Sequence, residues 1–269
     1  MVLNTPGSKN KIWVSAHRGN SRYCPDNTMS SFISALQYPV DQLELDLHMS
    51  RDKEIVMVHN HSVDKTSDGT GRVCELSLKE LKKLDVGSWK DEKFKGERVP
   101  TFAEFLDYMA PYKKMTFNIE LKDFPHMTSQ EWAREAADKM IAMIEKWGIA
   151  ERCWINCMSV DILEYIDAKY NHSYKIHCLY PTSMMFSTPT RDPYDYAHCV
   201  CLFGTPEQPV VDISEFDRAR SRNVQPWVHY PSDDIACYEK AVQNGCRLIT
   251  ANDPKKCIDY LNSLGLHEA

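Results

Sequence analysis

Leu43-Glu44-Leu45-Asp46-Leu47 and Asn118-Ile119-Glu120-Leu121-Lys122 decide how this chain is read. Each alternates apolar with polar residues, the two-residue period of a strand that turns one face to a core. Successive side chains leave a strand on opposite faces. Glu44 therefore shares a face with Asp46, and Asn118, Glu120 and Lys122 share another, while the leucines and Ile119 point away. If the strands lie side by side under helices, three carboxylates converge inside the fold, where only a metal ion or strong bases neutralise them. The plain alternative is a pair of amphipathic strands with solvated polar faces. The surrounding sequence separates the two.

Strand-like runs recur at 12–16, 43–48, 54–58, 115–121, 153–158, 174–179, 197–203, 224–229 and 246–250, with helical patterns between most of them. The clearest helix runs from Ser129 to Trp147, with Thr128 and Glu131 spaced as a capping box and Gly148 as its stop. Ser77 with Glu80 and Thr101 with Glu104 are further boxes, and other helices start near Asn27, Ser159, Ser214 and Asp233. Strand and helix in alternation imply a parallel sheet with crossover helices. About eight such units favour a TIM (β/α)8 barrel over a doubly wound sheet, and no glycine-rich nucleotide loop argues otherwise. Five residues separate the run ending at His48 from the one starting at Glu54, too few for a helical crossover. Nine candidates thus compete for eight places, and one lies outside the barrel or runs antiparallel. Residues 60–100, with Asp68-Gly69-Thr70-Gly71, read as an insertion over one barrel end within a single domain spanning 1–269.

A net charge of -6, from 32 basic and 38 acidic residues, provides no electrostatic reason to bind nucleic acid. Ten cysteines occur without a C-x-x-C pair, most inside apolar runs, as small core hydrophobes do. Met1 to Lys11 is polar, without a signal-peptide core, and no run of about 18 apolar residues predicts an integral membrane segment. The expectation is a reducing, cytoplasmic setting.

In a barrel of this kind chemistry sits at the carboxyl ends of the strands. The first run ends in His17-Arg18-Gly19, the second carries Glu44 and Asp46, the third ends in His59, and the fourth carries Glu120 and Lys122. Two histidines, three carboxylates, an arginine and a lysine come to one rim. Any one of them has a structural explanation; the joint placement at consecutive strand ends is harder to explain that way.

Here the chain resembles the glycerophosphodiester phosphodiesterase family. The matching stretches are Ala16-His17-Arg18-Gly19, Pro25-Asp26-Asn27-Thr28, Glu44-Leu45-Asp46, Arg51-Asp52 with Val58-His59, Asp68-Gly69-Thr70-Gly71, Val99-Pro100-Thr101-Phe102 with Glu104, and Asn118-Ile119-Glu120-Leu121-Lys122. They fall in family order over residues 12–123; beyond, Trp227 and Ile249-Thr250-Ala251-Asn252-Asp253-Pro254 match more weakly. The resemblance implies a TIM barrel in which Glu44, Asp46 and Glu120 hold one divalent cation and His17 and His59 act as acid and base. An all-oxygen ligand set suits Mg²⁺ or Ca²⁺. Arg18 and Lys122 suit the remaining phosphate oxygens, and two imidazoles titrating near neutrality can divide the proton work.

The implied substrate is a small-molecule glycerophosphodiester, hydrolysed to sn-glycerol 3-phosphate and an alcohol by water or through attack of the neighbouring glycerol hydroxyl. The alternatives are a lysophospholipase D-type hydrolase of the same chemistry, for which an apolar groove is expected, and a barrel that binds phosphate esters without catalysis. Asp26 stands where the family usually has Glu, and Asn60 where it usually has Asp. The 60–100 insertion is a candidate cover for the glycerol moiety. Trp227 is a candidate for the substrate pocket, with Tyr230 beside it in sequence; Met184-Met185-Phe186 reads as helix packing, His48 and His61 as surface residues, and His177, His198 and His229 as strand or strand-end residues.

Overall fold

The computed structural model describes residues 11–204, 208–230 and 232–267; the expectation drawn from the opening stretch lies outside them except at Lys11. Among the described residues nine strands form, β1 (Trp13–His17), β2 (Gln42–Met49), β3 (Ile55–Met57), β4 (Thr116–Leu121), β5 (Cys153–Asn156), β6 (Lys175–Tyr180), β7 (Cys199–Leu202), β8 (Gln225–His229) and β9 (Leu248–Ala251). Eight are parallel neighbours in the order β1, β9, β8, β7, β6, β5, β4, β2, and β2 returns to pair with β1, so the sheet closes into a barrel. The ninth, β3, pairs antiparallel with β2 through Leu47–Met57, His48–Val56 and Met49–Ile55. It is the strand without a place in the barrel. The five-residue link permits only a hairpin, closed by Ser50 N–H donating to the Glu54 carbonyl at 2.8 Å with Lys53 at φ 68°.

Helices α1 (Met29–Ala35), α2 (Leu78–Leu81), α3 (Phe102–Met109), α4 (Gln130–Lys146), α5 (Val160–Lys169), α6 (Ile213–Ser221), α7 (Ile235–Asn244) and α8 (Pro254–Ser263) accompany the strands. Both predicted capping boxes at α2 and α3 are made. The one predicted for α4 is not. Thr128 turns its hydroxyl back to the Phe124 carbonyl at 3.0 Å, so Ser129 takes over as cap, accepting from Trp132 N–H. Thr28, Asp212 and Asp234 likewise cap α1, α6 and α7, one or two residues from the predicted starts.

Leu43, Leu45, Leu47, Ile119 and Leu121 face outward into the main core, where Phe32 of α1 and Phe102 and Phe105 of α3 meet them, all fully buried. Each such leucine contributes about 1.5–3 kcal/mol through removal from water. Inside the barrel lies a second layer, Trp154, Cys199, Trp227 and Leu248 with Trp13 against them. Residues 60–100 pack on β3 around a small core of their own: Val56, Val58, Val63, Val73, Leu81 and Val99. Eight of the ten cysteines are buried and all are free, as expected of small core hydrophobes.

Candidate active site

The chain leaves β1 through a left-handed turn, Arg18 at φ 55° and Gly19 at φ 81°. A Cβ on Gly19 would lie 2.4 Å from Ser31 Oγ and 2.6 Å from its backbone, so only glycine fits. The turn aims Arg18 N–H at Glu44 Oε2, 2.9 Å away. In the β2–β4 register Glu44 lies opposite Asn118 and Asp46 opposite Glu120. One oxygen from each of Glu44, Asp46 and Glu120 comes within 4.8 Å of the others.

Two cations enter the cluster. Arg18 Nε lies 3.1 Å from Asp46 Oδ2 and its Nη1 3.0 Å from Asp26 Oδ2, while Lys122 Nζ lies 3.2 Å from Asp46 Oδ1 and 2.5 Å from Glu120 Oε1. Asn27, itself left-handed at φ 57°, holds Asp46 from both sides: its Nδ2 donates to Asp46 Oδ2 at 2.8 Å and its Oδ1 accepts from Asp46 N–H at 3.0 Å. Asp26 therefore steadies Arg18, the role its charge suits despite the shorter side chain.

The electrostatics show what the cluster is suited to hold. Among the described residues three carboxylates, Glu44 and Asp46 buried and Glu120 nearly so, meet two cations, before Asp26 is counted. Burial, and then repulsion from Asp46, push Glu44 well above the ordinary carboxylate range, and burial raises Glu120 although Lys122 opposes it. Burial would also raise Asp46, but Lys122 and Arg18 outweigh it and hold Asp46 well below that range. Burial would lower Lys122; Asp46 and Glu120 keep it above its usual value. A divalent cation fits this donor set, since it is all carboxylate oxygen, is short of positive charge, and has the spacing of ligands around one ion with bonds of about 2.4 Å.

His17 and His59 flank the carboxylates. His17 Nδ1 is 2.6 Å from Asn252 Oδ1, which also accepts from Ser21 Oγ at 3.2 Å. An amide oxygen only accepts, so the proton sits on Nδ1 and the lone pair on Nε2, 3.9 Å from Glu44 Oε2. His59 Nδ1 meets Asn60 Oδ1 at 2.9 Å, so Asn60 still orients the ring, with a neutral oxygen in place of a charged one. Burial, then His229 and Arg18, drive the His17 pKa well below its ordinary value, and burial lowers His59 to about 4 against the pull of Asp46. Both shifts favour the neutral ring at pH 7, so neither histidine titrates near neutrality as its type alone suggested: burial disfavours the charged form.

His59 reaches this rim from the β3 excursion, not from a barrel strand. Two other groups are closer to the site than the sequence indicated. The His229 ring lies 4.2 Å from that of His17, with Nδ1 against the Thr250 carbonyl at 3.0 Å, and Met184, the last residue of a short 3-10 turn at Thr182–Met184, lines the cavity while Met185 beside it packs in the core as expected. The signal for His229 was its place at a strand end, on the same face as Trp227; nothing in the sequence ranked it above His177 and His198. Those two lie deeper or to the side, His177 bonded to Asn118 at 3.0 Å and His198 beside Trp154. Trp227 is not part of the cavity lining. It is fully buried one layer below the rim, 5.5 Å from Trp154 and 4.9 Å from His177, because the strand must rise two residues to bring a side chain of that face to the mouth. His48 and His61 are not surface residues either: His48 is 2 % exposed and 3.3 Å from Asp123, and His61 packs on it and on Phe124.

A cavity of about 650 Å³ opens over the site. Its lining combines His17, Arg18, His59, Glu120, Lys122 and His229 with the uncharged Met158, Leu179, Met184, Phe203 and Tyr230, with Ser232 and Cys237 near the last of these in sequence. The 60–100 excursion closes the flank beside Arg18 and His59, where a smaller cavity of about 60 Å³ remains. Among the described residues no helix is long and apolar enough to cross a membrane.

Residues 17–249 match the Glycerophosphoryl diester phosphodiesterase family. A glycerophosphodiester phosphodiesterase of Caldanaerobacter subterraneus subsp. tengcongensis is 28 % identical over 262 residues, which cover 95 % of this chain and 100 % of that protein. One from Bacillus subtilis is 34 % identical over 147 residues, 52 % of this chain and 47 % of that longer protein, so the chain spans about half of it. Among solved structures, an Oleispira antarctica phosphodiesterase in complex with the product sn-glycerol-3-phosphate superposes with TM-score 0.78 at 20 % identity, covering 94 % of this chain and 97 % of the other. That likeness establishes a common barrel.

Proposed function

The chain belongs to the glycerophosphoryl diester phosphodiesterase family of phosphoric diester hydrolases, and from that premise we propose that it hydrolyses small glycerophosphodiesters to sn-glycerol 3-phosphate and an alcohol. One observation carries the reading: three carboxylates within 4.8 Å of one another, short of positive charge and flanked by two neutral histidines.

Glu44, Asp46 and Glu120 would hold one divalent cation, Mg²⁺ or Ca²⁺ by donor chemistry. Bound there, it supplies positive charge for a phosphate oxygen and for the charge that develops in transfer. Arg18 and Lys122, already directed at the cluster, hold the other phosphate oxygens. His17 and His59 share the proton transfers: the free Nε2 of one takes the proton of the attacking oxygen, and the other, protonated at Nε2 from solvent when the phosphodiester anion binds beside it, gives that proton to the departing alkoxide. The attacking oxygen belongs to water or to the neighbouring glycerol hydroxyl, which would form a cyclic phosphate first. Asn252 and Asn60 hold Nδ1 of the two rings, so that Nε2 is the atom at which each takes or gives a proton. The 60–100 excursion lies over the small cavity at Arg18 and His59 and would cover the glycerol end. We read residues 1–269 as one phosphodiesterase domain with that excursion as its insertion, working in the cytoplasm and without a nucleic-acid partner.

The test is glycerol 3-phosphate release from glycerophosphocholine with defined Mg²⁺, Ca²⁺ or Mn²⁺ after chelation. Unchanged rates in Glu44→Gln or His17→Ala, or no product with any of the three ions, would sink the reading.

A further inference from the structure

Two cavities meet at Arg18 and His59, and they differ. The smaller, under the excursion, is mixed: Asp26, Asn27, Asn60, Thr66 and Ser67 offer hydrogen-bond partners beside Val58, Val63 and Val99. The larger, about 650 Å³, faces the charged cluster with Met158, Leu179, Met184, Phe203 and Tyr230, five side chains that carry no charge at neutral pH. They come from separate places in the chain: the ends of β5, β7 and β8, β6 itself, and the turn after β6. Four strands therefore agree on apolar character around one volume, which is of the size that encloses a small-molecule ligand.

A phosphodiester carries two ester arms. With its phosphate at Arg18 and Lys122, each cavity takes one. The mixed recess beside the excursion suits glycerol, whose hydroxyls need hydrogen-bond partners once buried and find them in Asn27, Asn60, Thr66 and Ser67. In the larger cavity a quaternary ammonium or an amine would give up its water for the ring faces of Phe203 and Tyr230, worth about 0.5–2 kcal/mol, with Glu120 as the one lining carboxylate among the described residues and that one already paired with Lys122, so its desolvation is only partly offset. An alkyl or aryl group would shed water against the same wall and gain by it.

We propose that the alcohol this enzyme releases is apolar: its preferred substrates are glycerophosphodiesters whose leaving group is an alkyl or aryl alcohol, seated against Met184 and Phe203. This rests on the phosphodiesterase reading above. In the net reaction the oxygen of water bonds to phosphorus, the bond from phosphorus to the alcohol oxygen breaks, and that oxygen takes a proton, so glycerol 3-phosphate and the alcohol are formed with no further reactant.

Three substrates test it, kept below their micelle concentrations: glycerophosphohexanol, glycerophosphocholine, and lysophosphatidylcholine with a hexanoyl chain, which moves the apolar group to the glycerol side. The expected result is a kcat/KM for the hexyl ester at least tenfold above that for the choline ester, because burying about two methylene groups suffices for that factor. Met184→Gln and Phe203→Gln each lower the hexyl-to-choline ratio at least threefold. A ratio does not depend on how much of a variant is folded. The proposal is overturned if choline ester is turned over and the ratio is below three, if the ratio is the same in both variants as in the parent, or if the hexanoyl lysophospholipid is the fastest of the three. Failure to cleave any of the three removes the phosphodiesterase reading itself, and this inference with it.

Discussion

Across the mouth of the barrel, β1, β2 and β4 contribute Arg18, Glu44, Asp46, Glu120 and Lys122, linked by ion pairs and backbone hydrogen bonds, whereas β5 to β8 oppose them with Met158, Leu179, Phe203 and Tyr230. The two sides obey different constraints. A buried carboxylate is tolerated only where specific partners meet it, and so Asp46 draws in Arg18, Lys122 and both ends of the Asn27 amide. An apolar wall requires nothing of its neighbours except close packing. Charge therefore dictates sequence around it, residue by residue, on one side of the mouth, while the other side is free to vary within a class. The contrast also separates chemistry from selection among substrates.

The strongest way to break this division is to remove a member of the charged side. His17→Ala is expected to lower kcat at least 10²-fold, the range for loss of a proton-transfer group, and Glu44→Gln at least as much; glycerol 3-phosphate release measures both, and a loss under tenfold in either places the chemistry elsewhere. Next in size is the response to cations. A resident ion that binds only the folded chain adds about 2.7 kcal/mol when present at a hundred times its dissociation constant, so the thermal midpoint rises by several degrees with Mg²⁺ or Ca²⁺ and falls back with chelator. The rise should shrink in Glu44→Gln, and an equal rise in the variant would remove Glu44 from the ion.

A third test leaves the mouth for the layer beneath it. Burial lowers the pKa of His177 to about 3. Its folded value lies below the unfolded one of about 6.5, so the stability due to the neutral ring is complete above pH 6.5 and is lost as pH falls. Between pH 7 and 5 the unfolded chain gains a proton that the folded chain refuses, at about 2 kcal/mol. Denaturant unfolding at both pH values checks this, and His177→Gln should lose less stability across that interval than the parent chain. The smallest expected effect is at Trp227. Trp227→Phe opens a void below the rim and costs roughly 1–3 kcal/mol of stability, yet leaves the ratio of hexyl to choline ester turnover within twofold. A larger change in that ratio would make Trp227 part of the pocket.

Much of the charged side is legible from residue order, because polar residues interrupt apolar strands at Glu44, Asp46 and Glu120, and a two-residue period leaves no doubt which of them share a face. The five-residue link before Glu54 likewise requires a hairpin. The helix start at Ser129 is less legible, since Thr128 and Ser129 both have a capping hydroxyl and only the position of the Phe124 carbonyl decides between them. His229 is legible only as one strand-end histidine among several, and Met184 not at all as a lining residue. Their types are common in cores and turns, and what distinguishes them is proximity to His17 or to the cavity, across more than 160 positions of chain.

By itself, then, the sequence determined the alternating β/α architecture, the three carboxylates of one site and the two histidines beside it, because burying charge within apolar runs is too costly to occur without a partner or a purpose. Tertiary structure alone decided which strand stood outside the barrel pairing, that Trp227 lies below the mouth while His229 reaches it, and that an apolar wall stands opposite the carboxylates. Those are matters of how far each side chain rises along a closed barrel and what meets it there, distances that no local pattern of residues encodes.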